Sequence, residues 1–253
     1  YVSSLSWFHV SLGYISPLND LIVQAAIKAA KILTGRPKNR KEPITEKMIK
    51  KICKTYRLDK SLSNLRFILS CLMQLHAFLR SSDLLKIQRK HLTVNKDHFA
   101  IRIETSKCDK LRRGSTLLIH KNTENKELCP LNYLSLYLEK TKMTKSSNKF
   151  LFRQIIKTGS KEKLSKQNKP VTYSCLRSIL LKKLQCMGYD HRKFGLHSFR
   201  SGGATICCNN SIDLDLIKIQ GMWKSEAVQC YLKRDREQRL QASKCLNEQI
   251  NAC

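Results

Sequence analysis

Four residue types in the stretch 194–234 have the chemistry needed to cleave and rejoin a phosphodiester. His197 and Arg200 are three residues apart, so on a helix they share one face. Trp223 follows in the sequence GMW, and Tyr231 comes eight residues later on a short segment that Ser225 is placed to cap. Metal-free phosphoryl transfer needs a side-chain nucleophile, cationic groups for the developing charge and a proton donor for the leaving oxygen. This stretch contains candidates for these tasks.

Each of these residues also has an ordinary structural explanation. A single histidine such as His197 is more often a core or capping residue. Trp223 and Tyr231 are typical packing aromatics. No single residue indicates a functional site, but the order of all four along the chain favours one.

The charge of the chain indicates a polyanionic partner. It contains 48 Lys+Arg and 19 Asp+Glu, which gives a formal net charge of +29. Such a charge opposes compaction unless a polyanion neutralises it, and nucleic acid does so while releasing counterions. An acidic membrane surface is the second candidate partner. A lysine-rich composition without a specific partner is the third interpretation.

The sequence argues against several other classes of protein. It shows no carboxylate cluster of the kind that metal-dependent nucleases use and no GxxxxGK[ST] nucleotide motif, so we expect no metal and no other cofactor. Its 11 scattered cysteines lack a C-x-x-C pair, which indicates free thiols in a reducing compartment. The first ten residues do not resemble a signal peptide. The most apolar stretch, 67–79, is too short to span a bilayer, so it predicts a buried helix and no membrane partner.

Helices must provide most of the framework that positions these residues. A helix is predicted over 19–33, capped by Asn19 or Asp20. The basic stretch that follows, TGRPKNRKEPIT, contains two prolines and is predicted to be a linker. Further helices are expected from Thr45, over 61–79, after Pro130, up to Gly188, and from Gly195 to the end of the chain.

Two short strands interrupt this helical pattern. Residues 98–107 alternate between apolar and polar, and 115–121 form a second short apolar run. The basic sequence CDKLRRG between them predicts a hairpin turn. The fold class is therefore mostly α with a small antiparallel β-sheet, an α+β arrangement.

The order of these motifs resembles the catalytic domain of the tyrosine recombinases, the phage integrase family. That family has an HxxR box, then Gly-x-His or Gly-x-Trp, then a nucleophilic tyrosine. The matches are HSFR at 197–200, GMW at 221–223 and CY at 230–231. The family's upstream arginine box resembles FLRSSDLLKI, which contains Arg80 and Asp83, and its hairpin lysine resembles Lys107 in ETSKCDKLRRG.

The resemblance extends over about residues 43–240 and implies a domain order. Residues 1–37 are similar to the C-terminal part of a helical, SAM-like core-binding domain, whose first half is then absent from this chain. Residues 38–44 form the basic linker, and 45–253 the catalytic domain. Trp223, the SKxD hairpin and CPLNYLSLYL resemble recombinases of eukaryotic mobile elements, the Crypton and DIRS-type group, more than bacterial integrases.

The resemblance implies a role for each catalytic-type residue. Tyr231 attacks a DNA phosphodiester to form a 3′-phosphotyrosyl bond. Because a free phenol has a pKa of about 10, His197 helps remove its proton. Arg80 and Arg200 hold the non-bridging oxygens, since guanidinium is bidentate and stays charged.

The remaining site residues assist these groups. Trp223 donates its indole N–H to a phosphate oxygen and packs beside the tyrosine. Many bacterial relatives have a histidine there, and tryptophan cannot replace it as an acid or base. Asp83 orients Arg80. Lys107 protonates the leaving 5′ oxygen, with Lys110 as the alternative. Basic residues of the linker and hairpin are predicted to bind DNA: Arg36, Lys38, Arg40, Lys41, Lys110, Arg112 and Arg113.

Double-stranded DNA is the partner that the resemblance implies. Recombination requires a homo-tetramer on two duplexes, with a monomer or dimer in the absence of DNA. The charged segment 232–250 is either a helix exchanged between protomers or a solvated helix. We expect a nuclear location, because that is where the substrate of a eukaryotic mobile element lies.

Several alternatives stay open at this point. The first is a domesticated DNA-binding protein that keeps the fold without recombination. The second is a type IB topoisomerase, which uses a tyrosine nucleophile to relax supercoils as a monomer. The third is a basic helical module that binds RNA or chromatin. Arg80 and Asp83 also have a simpler interpretation, as an exposed i,i+3 surface pair.

Overall fold

A computed structural model describes residues 2–34, 40–106, 109, 113–159, 161–234, 240 and 244–245. The chain divides into two compact units, residues 1–40 and 41–253. Every cysteine in the described part of the chain is a free thiol. No helix in that part is long and apolar enough to cross a membrane.

The first unit consists of two helices. Helix α1 spans Val2–Ser11, a short 3₁₀ turn spans Pro17–Asn19, and α2 spans Leu21–Thr34. The predicted helix over 19–33 is confirmed as α2, and Asp20 is its cap, because Asp20 Oδ1 accepts from the Ile22 amide at 2.8 Å. Helix α1 was not predicted. Neither α1 nor α2 contains a buried residue.

The second unit is built around one buried helix. Helix α4, Leu62–His76, is buried along most of its length. Three other helices pack against it: α3 at Glu46–Tyr56, α6 at Pro130–Thr141 and α8 at His197–Asn209. The described residues form three more named helices in this unit: α5 at Ser81–Lys86, α7 at Tyr173–Cys186 and α9 at Leu214–Gly221. Thr45 caps α3, since its hydroxyl accepts from the Met48 amide at 3.3 Å.

Helix α4 ends earlier than its apolar pattern predicts. The pattern runs to residue 79, but the helix stops at His76 because Phe78 has a φ of +44°, in the left-handed region. A bulky side chain rarely adopts this conformation, and the backbone there is strained. The turn redirects the chain into α5, whose N-cap residue is Arg80.

A three-stranded antiparallel sheet lies beside the helices. Strands β1 (Leu92–Val94), β2 (His98–Ile103) and β3 (Ser115–His120) pair in that order. The two predicted strands are confirmed as β2 and β3, and the fold class with them. Strand β2 ends at Ile103, opposite Ser115, and not at residue 107, because the chain leaves the ladder there to form the hairpin loop.

Two features of the β-structure were not predicted. Strand β1 has only three residues and one buried side chain, too few for a periodic signal. A second hairpin joins β4 (Ile155–Thr158) to β5 (Lys161–Leu164), and neither strand buries a complete face. Its lysine-rich sequence lacks the apolar alternation that predicts a strand.

Two adjacent glycines allow α8 to pack closely against its neighbours. A Cβ atom on Gly203 would lie 2.2 Å from the Leu75 carbonyl oxygen, and one on Gly202 would lie 2.3 Å from that of Ile44. The buried Ile44 also donates its amide to the Ser198 carbonyl at 2.9 Å. Residues 42–44, at the end of the stretch interpreted as a linker, are thereby tied to the start of α8.

Candidate active site

Helix α8 begins at His197 and buries Arg200 one turn later. The Arg200 side chain is 0% exposed, whereas His197, at the helix start, is partly buried and partly open to solvent. Arg200 Nη2 donates to the Gly221 carbonyl at 2.8 Å, and Nη1 donates to the Phe78 carbonyl. The turn at the end of α4 and the end of α9 thus hold the guanidinium through backbone oxygens.

Arg80 and Asp83 form a buried pair at the start of α5. Arg80 Nη1 lies 3.6 Å from Asp83 Oδ2, and the two side chains are 12% and 3% exposed. The interpretation as an exposed surface pair is therefore wrong. The carboxylate faces the guanidinium from inside the protein, where it can orient Arg80.

Two aromatic rings surround the Arg200 guanidinium. Its carbon lies 3.8 Å from the centre of the Trp223 ring and 5.3 Å from that of Tyr231. The Trp223 and Tyr231 ring centres are 5.2 Å apart, and those of His197 and Tyr231 are 6.5 Å apart. The structure therefore brings together all four residues singled out in the 194–234 stretch.

Local geometry explains the GMW and SEAVQCY sequences. Gly221 is required because a Cβ atom there would lie 1.8 Å from the Trp223 ring. Tyr231 directly follows a 3₁₀ helix at Glu226–Cys230. The predicted cap is confirmed, because the Ser225 hydroxyl accepts from the Ala227 amide at 3.3 Å.

The indole nitrogen of Trp223 is buried within this cluster. Trp223 Nε1 has no hydrogen-bond acceptor among the residues that the structure describes. A buried donor without an acceptor is costly unless a bound group supplies one. The predicted donation to a phosphate oxygen stays a prediction, because the nitrogen is buried in the free protein.

The electrostatics of the cluster favour an anion. Burial and the Arg80 charge lower the pKa of Arg200 to about 10, although Tyr231 and Asp83 oppose the shift. Burial, followed by the charges of Arg200 and Arg80, also lowers the pKa of His197, and Asp83 opposes this. Asp83 pairs with Arg80, and its charge also favours the charged form of Arg200, whereas the two guanidinium charges oppose each other.

Comparisons with known proteins identify the fold. No protein-family model and no curated protein matches the sequence. Among solved structures, the XerH site-specific recombinase in a post-cleavage complex with palindromic difH substrate is similar, with a TM-score of 0.60 and 17% identity over 81% of this chain. The XerA recombinase has a TM-score of 0.57 and 16% identity over 93% of this chain. The fold is that of a tyrosine recombinase.

A third similar structure is a lambda integrase dimer bound to a COC′ core site, with a TM-score of 0.50 and 16% identity over 80% of this chain. This chain spans 52% of the XerH chain, 70% of the XerA chain and 50% of the lambda integrase chain. At these identities the similarity shows the fold. The chemistry has to be argued from the residues of this chain.

The hairpin of the tyrosine-recombinase fold is described only at its base. Lys107, Lys110 and Arg112 lie outside the described residues, as do Arg36 and Lys38, and their roles stay predictions. At the base of the loop, Arg102 Nη2 donates to the Arg113 carbonyl at 2.8 Å, and Asp109 Oδ2 accepts from the Gly114 amide at 2.7 Å.

The other predicted DNA-binding residues are exposed. Arg113 lines a groove of about 540 Å³ together with Trp223 and Lys224, so one predicted contact lies close to the site. The Lys41 ammonium group donates to the Arg192 carbonyl, just before α8. Arg40 is exposed in the first unit.

Several contacts of the candidate site were missed from the sequence. The Phe78 and Gly221 carbonyls that hold Arg200 leave no side-chain signal. Lys224 was missed although it directly follows Trp223. Ser201 and Thr205 both donate to the Tyr231 carbonyl. Their spacing of four residues along α8, starting from His197, was the available signal.

Proposed function

We propose that this protein is a site-specific DNA recombinase that cleaves and rejoins DNA through a covalent bond to Tyr231. The observation that carries the proposal is the position of Tyr231, packed on Trp223 and close to the buried Arg200. Arg80 and Arg200 leave an excess of positive charge that suits a phosphodiester. The net charge of +29 favours the same partner.

In the proposed cleavage step, the Tyr231 hydroxyl oxygen attacks phosphorus and the bond to the 5′ oxygen breaks. The phenol proton passes to His197, whose lowered pKa keeps the imidazole neutral and able to accept it. Arg80, Arg200 and the Trp223 indole N–H then contact the non-bridging oxygens, which requires the cluster to open on DNA binding because Arg200 and the indole nitrogen are buried in the free protein. Lys107, or Lys110, gives its proton to the leaving 5′ oxygen.

Rejoining reverses this step with the 5′-hydroxyl of another strand. The phosphotyrosyl bond conserves the energy of the broken phosphodiester bond, so the scheme consumes no nucleotide. Exchange of strands between two duplexes requires four protomers. We further propose that the natural setting is a eukaryotic mobile element of the Crypton or DIRS type, acting in the nucleus, because of the Trp223 box and the hairpin sequence.

The proposal is tested by trapping the covalent intermediate. The full chain is incubated in EDTA with a library of duplexes that carry a randomised centre and a nick, so that a released fragment prevents religation. Denatured protein–DNA adducts are recovered and sequenced. Tyr231→Phe is expected to form no adduct, a loss of at least about 10³-fold, because the nucleophilic oxygen is absent.

The matched control is Tyr173→Phe, which removes the hydroxyl of an exposed tyrosine at the start of α7. It is expected to form adducts at the wild-type rate. If the wild type binds DNA but forms no adduct, the result would indicate a DNA-binding protein without cleavage activity and would contradict the proposal. Adducts accompanied by supercoil relaxation by a monomer, without strand exchange, would instead indicate a topoisomerase.

A further inference from the structure

The main chain at Tyr231 is tied to α8 by two side-chain hydroxyls. Ser201 Oγ donates to the Tyr231 carbonyl oxygen at 2.6 Å, and Thr205 Oγ1 donates to the same oxygen at 3.2 Å. Thr205 Oγ1 also accepts from the Lys233 amide at 3.2 Å. Three hydrogen bonds thus connect residues 231–233 to one helix.

The two hydroxyls occur on the helix that also carries the predicted base and arginine. His197, Ser201 and Thr205 are spaced by four residues, so they follow one face of α8. Arg200 directly precedes Ser201. The hydroxyls that hold the Tyr231 main chain therefore lie on the same helix as His197 and Arg200.

The segment that carries Tyr231 has little support of its own. It follows a five-residue 3₁₀ helix in which Val228 is the buried residue. Short 3₁₀ helices have weaker hydrogen-bond geometry than α-helices. The Tyr231 amide donates to the Val228 carbonyl at 2.8 Å, and residues 232–234 are neither helix nor strand. Beyond residue 230, Tyr231 and Leu232 pack against the cluster that contains Trp223 and Val228, and the bonds to α8 hold the main chain of this segment.

We propose that Ser201 and Thr205 are positioning residues that hold Tyr231 at the distance required for attack, an inference that rests on the proposed function. They act on the carbonyl of the nucleophilic residue and contact neither the phenol oxygen nor DNA. A displacement of about 1 Å at a reacting atom costs about 10²-fold in rate. Releasing the carbonyl is therefore expected to slow cleavage while leaving DNA affinity unchanged.

The test compares Ser201→Ala, Thr205→Val and the double variant of the full chain. Single-turnover cleavage is measured at saturating DNA on the duplex recovered from the adduct library. Each single variant is expected to cleave about tenfold more slowly, and the double variant about 10²-fold more slowly, with Kd changed less than about twofold. Ser201→Thr and Thr205→Ser, which keep the hydroxyls, are expected to restore most of the rate.

The control variant is Ser135→Ala in α6, whose hydroxyl donates to the Leu131 carbonyl at 3.0 Å. It removes a helix hydroxyl that does not contact Tyr231. Wild-type cleavage rates in Ser201→Ala and Thr205→Val, or a loss as large in Ser135→Ala, would overturn the inference.

A second measurement separates this inference from the proposed function. Amide hydrogen exchange over residues 228–234 is followed in the free protein, without DNA. Faster exchange is expected in Ser201→Ala and Thr205→Val, and not in Ser135→Ala, because the segment loses its attachment to α8. If the wild type forms no adduct, the proposed function fails, and the exchange data alone then test whether the two hydroxyls attach residues 228–234 to α8. Unchanged exchange in both variants would overturn the inference.

Discussion

Two clusters in the described part of the chain combine arginines with a tyrosine, and they differ in the exposure and the neighbours of that tyrosine. The first contains Arg80, Arg200 and Tyr231. The second contains Arg66, Arg153 and Tyr137, near the base of the β4–β5 hairpin. In both, an arginine is buried and donates to backbone carbonyls: Arg200 to Gly221 at 2.8 Å and Arg66 to Arg153 at 2.7 Å.

The tyrosines differ between the clusters. The Tyr137 hydroxyl donates to the Leu151 carbonyl at 2.8 Å, and its side chain is fully buried. Burial raises the pKa of Tyr137 above its ordinary value. Tyr231 is only half-buried, and His197 and Trp223 flank its ring.

The arginines differ in what surrounds them. Within the part of the chain that the structure describes, no ion pair joins Arg66 or Arg153 to a carboxylate, and backbone oxygens hold both groups. Burial, and then the charge of Arg80, lowers the pKa of Arg200. A buried arginine alone therefore does not indicate function. The first cluster differs in combining two arginines with a half-buried tyrosine.

Changing one arginine in each cluster tests most directly whether only the first cluster takes part in cleavage. Arg200→Lys is expected to reduce adduct formation by at least about 10²-fold, because lysine cannot make the bidentate contact. Arg153→Lys is expected to leave the rate unchanged. Both are expected to lose about 1–3 kcal/mol of unfolding free energy, since a buried carbonyl loses its donor. Urea unfolding and single-turnover cleavage check the two effects separately.

The pH dependence of cleavage sharpens the comparison further. Burial, Arg200 and Arg80 hold the pKa of His197 below its ordinary value of 6.5, so the imidazole is neutral at neutral pH. As the pH falls through the lowered pKa, His197 becomes protonated and can no longer accept the phenol proton. The rate is expected to fall about tenfold per pH unit below a midpoint under about 6.5.

Single-turnover rates measured across this range check the profile. His197→Gln is expected to abolish the acidic limb and leave a slow, flat profile. An acidic limb that persists in His197→Gln would assign the titration to another group.

The smallest expected effect concerns the second cluster. Tyr137→Phe removes a buried hydroxyl and leaves the Leu151 carbonyl without its donor, at a cost of about 1–2 kcal/mol of unfolding free energy. Adduct formation is expected to stay at the wild-type rate at temperatures well below unfolding. A loss of cleavage in this variant would show that the two clusters are coupled.

Much of the fold was predictable because its signals are local. Thr45 and Ser225 were predictable caps, and the alternation of 98–103 predicted β2. The end of α4 was not predictable, because the apolar pattern continues past Phe78 and only its positive φ ends the helix. The β4–β5 hairpin was missed because its exposed, lysine-rich strands have no periodic apolar face.

The candidate site divides in the same way. Residue types and spacing placed His197 and Arg200 on one helix turn and set the charge that favours DNA, whereas the need for Gly221 beside Trp223 came from the structure. Burial of the Arg80–Asp83 pair, the carbonyls that hold Arg200 and the hydroxyls that hold Tyr231 followed only from the tertiary structure. The contacts of Arg200 join distant segments, since Arg200 and Phe78 are 122 positions apart in the sequence. Local patterns do not encode such contacts, which here depend on the close packing of α8 against α4 that two glycines permit.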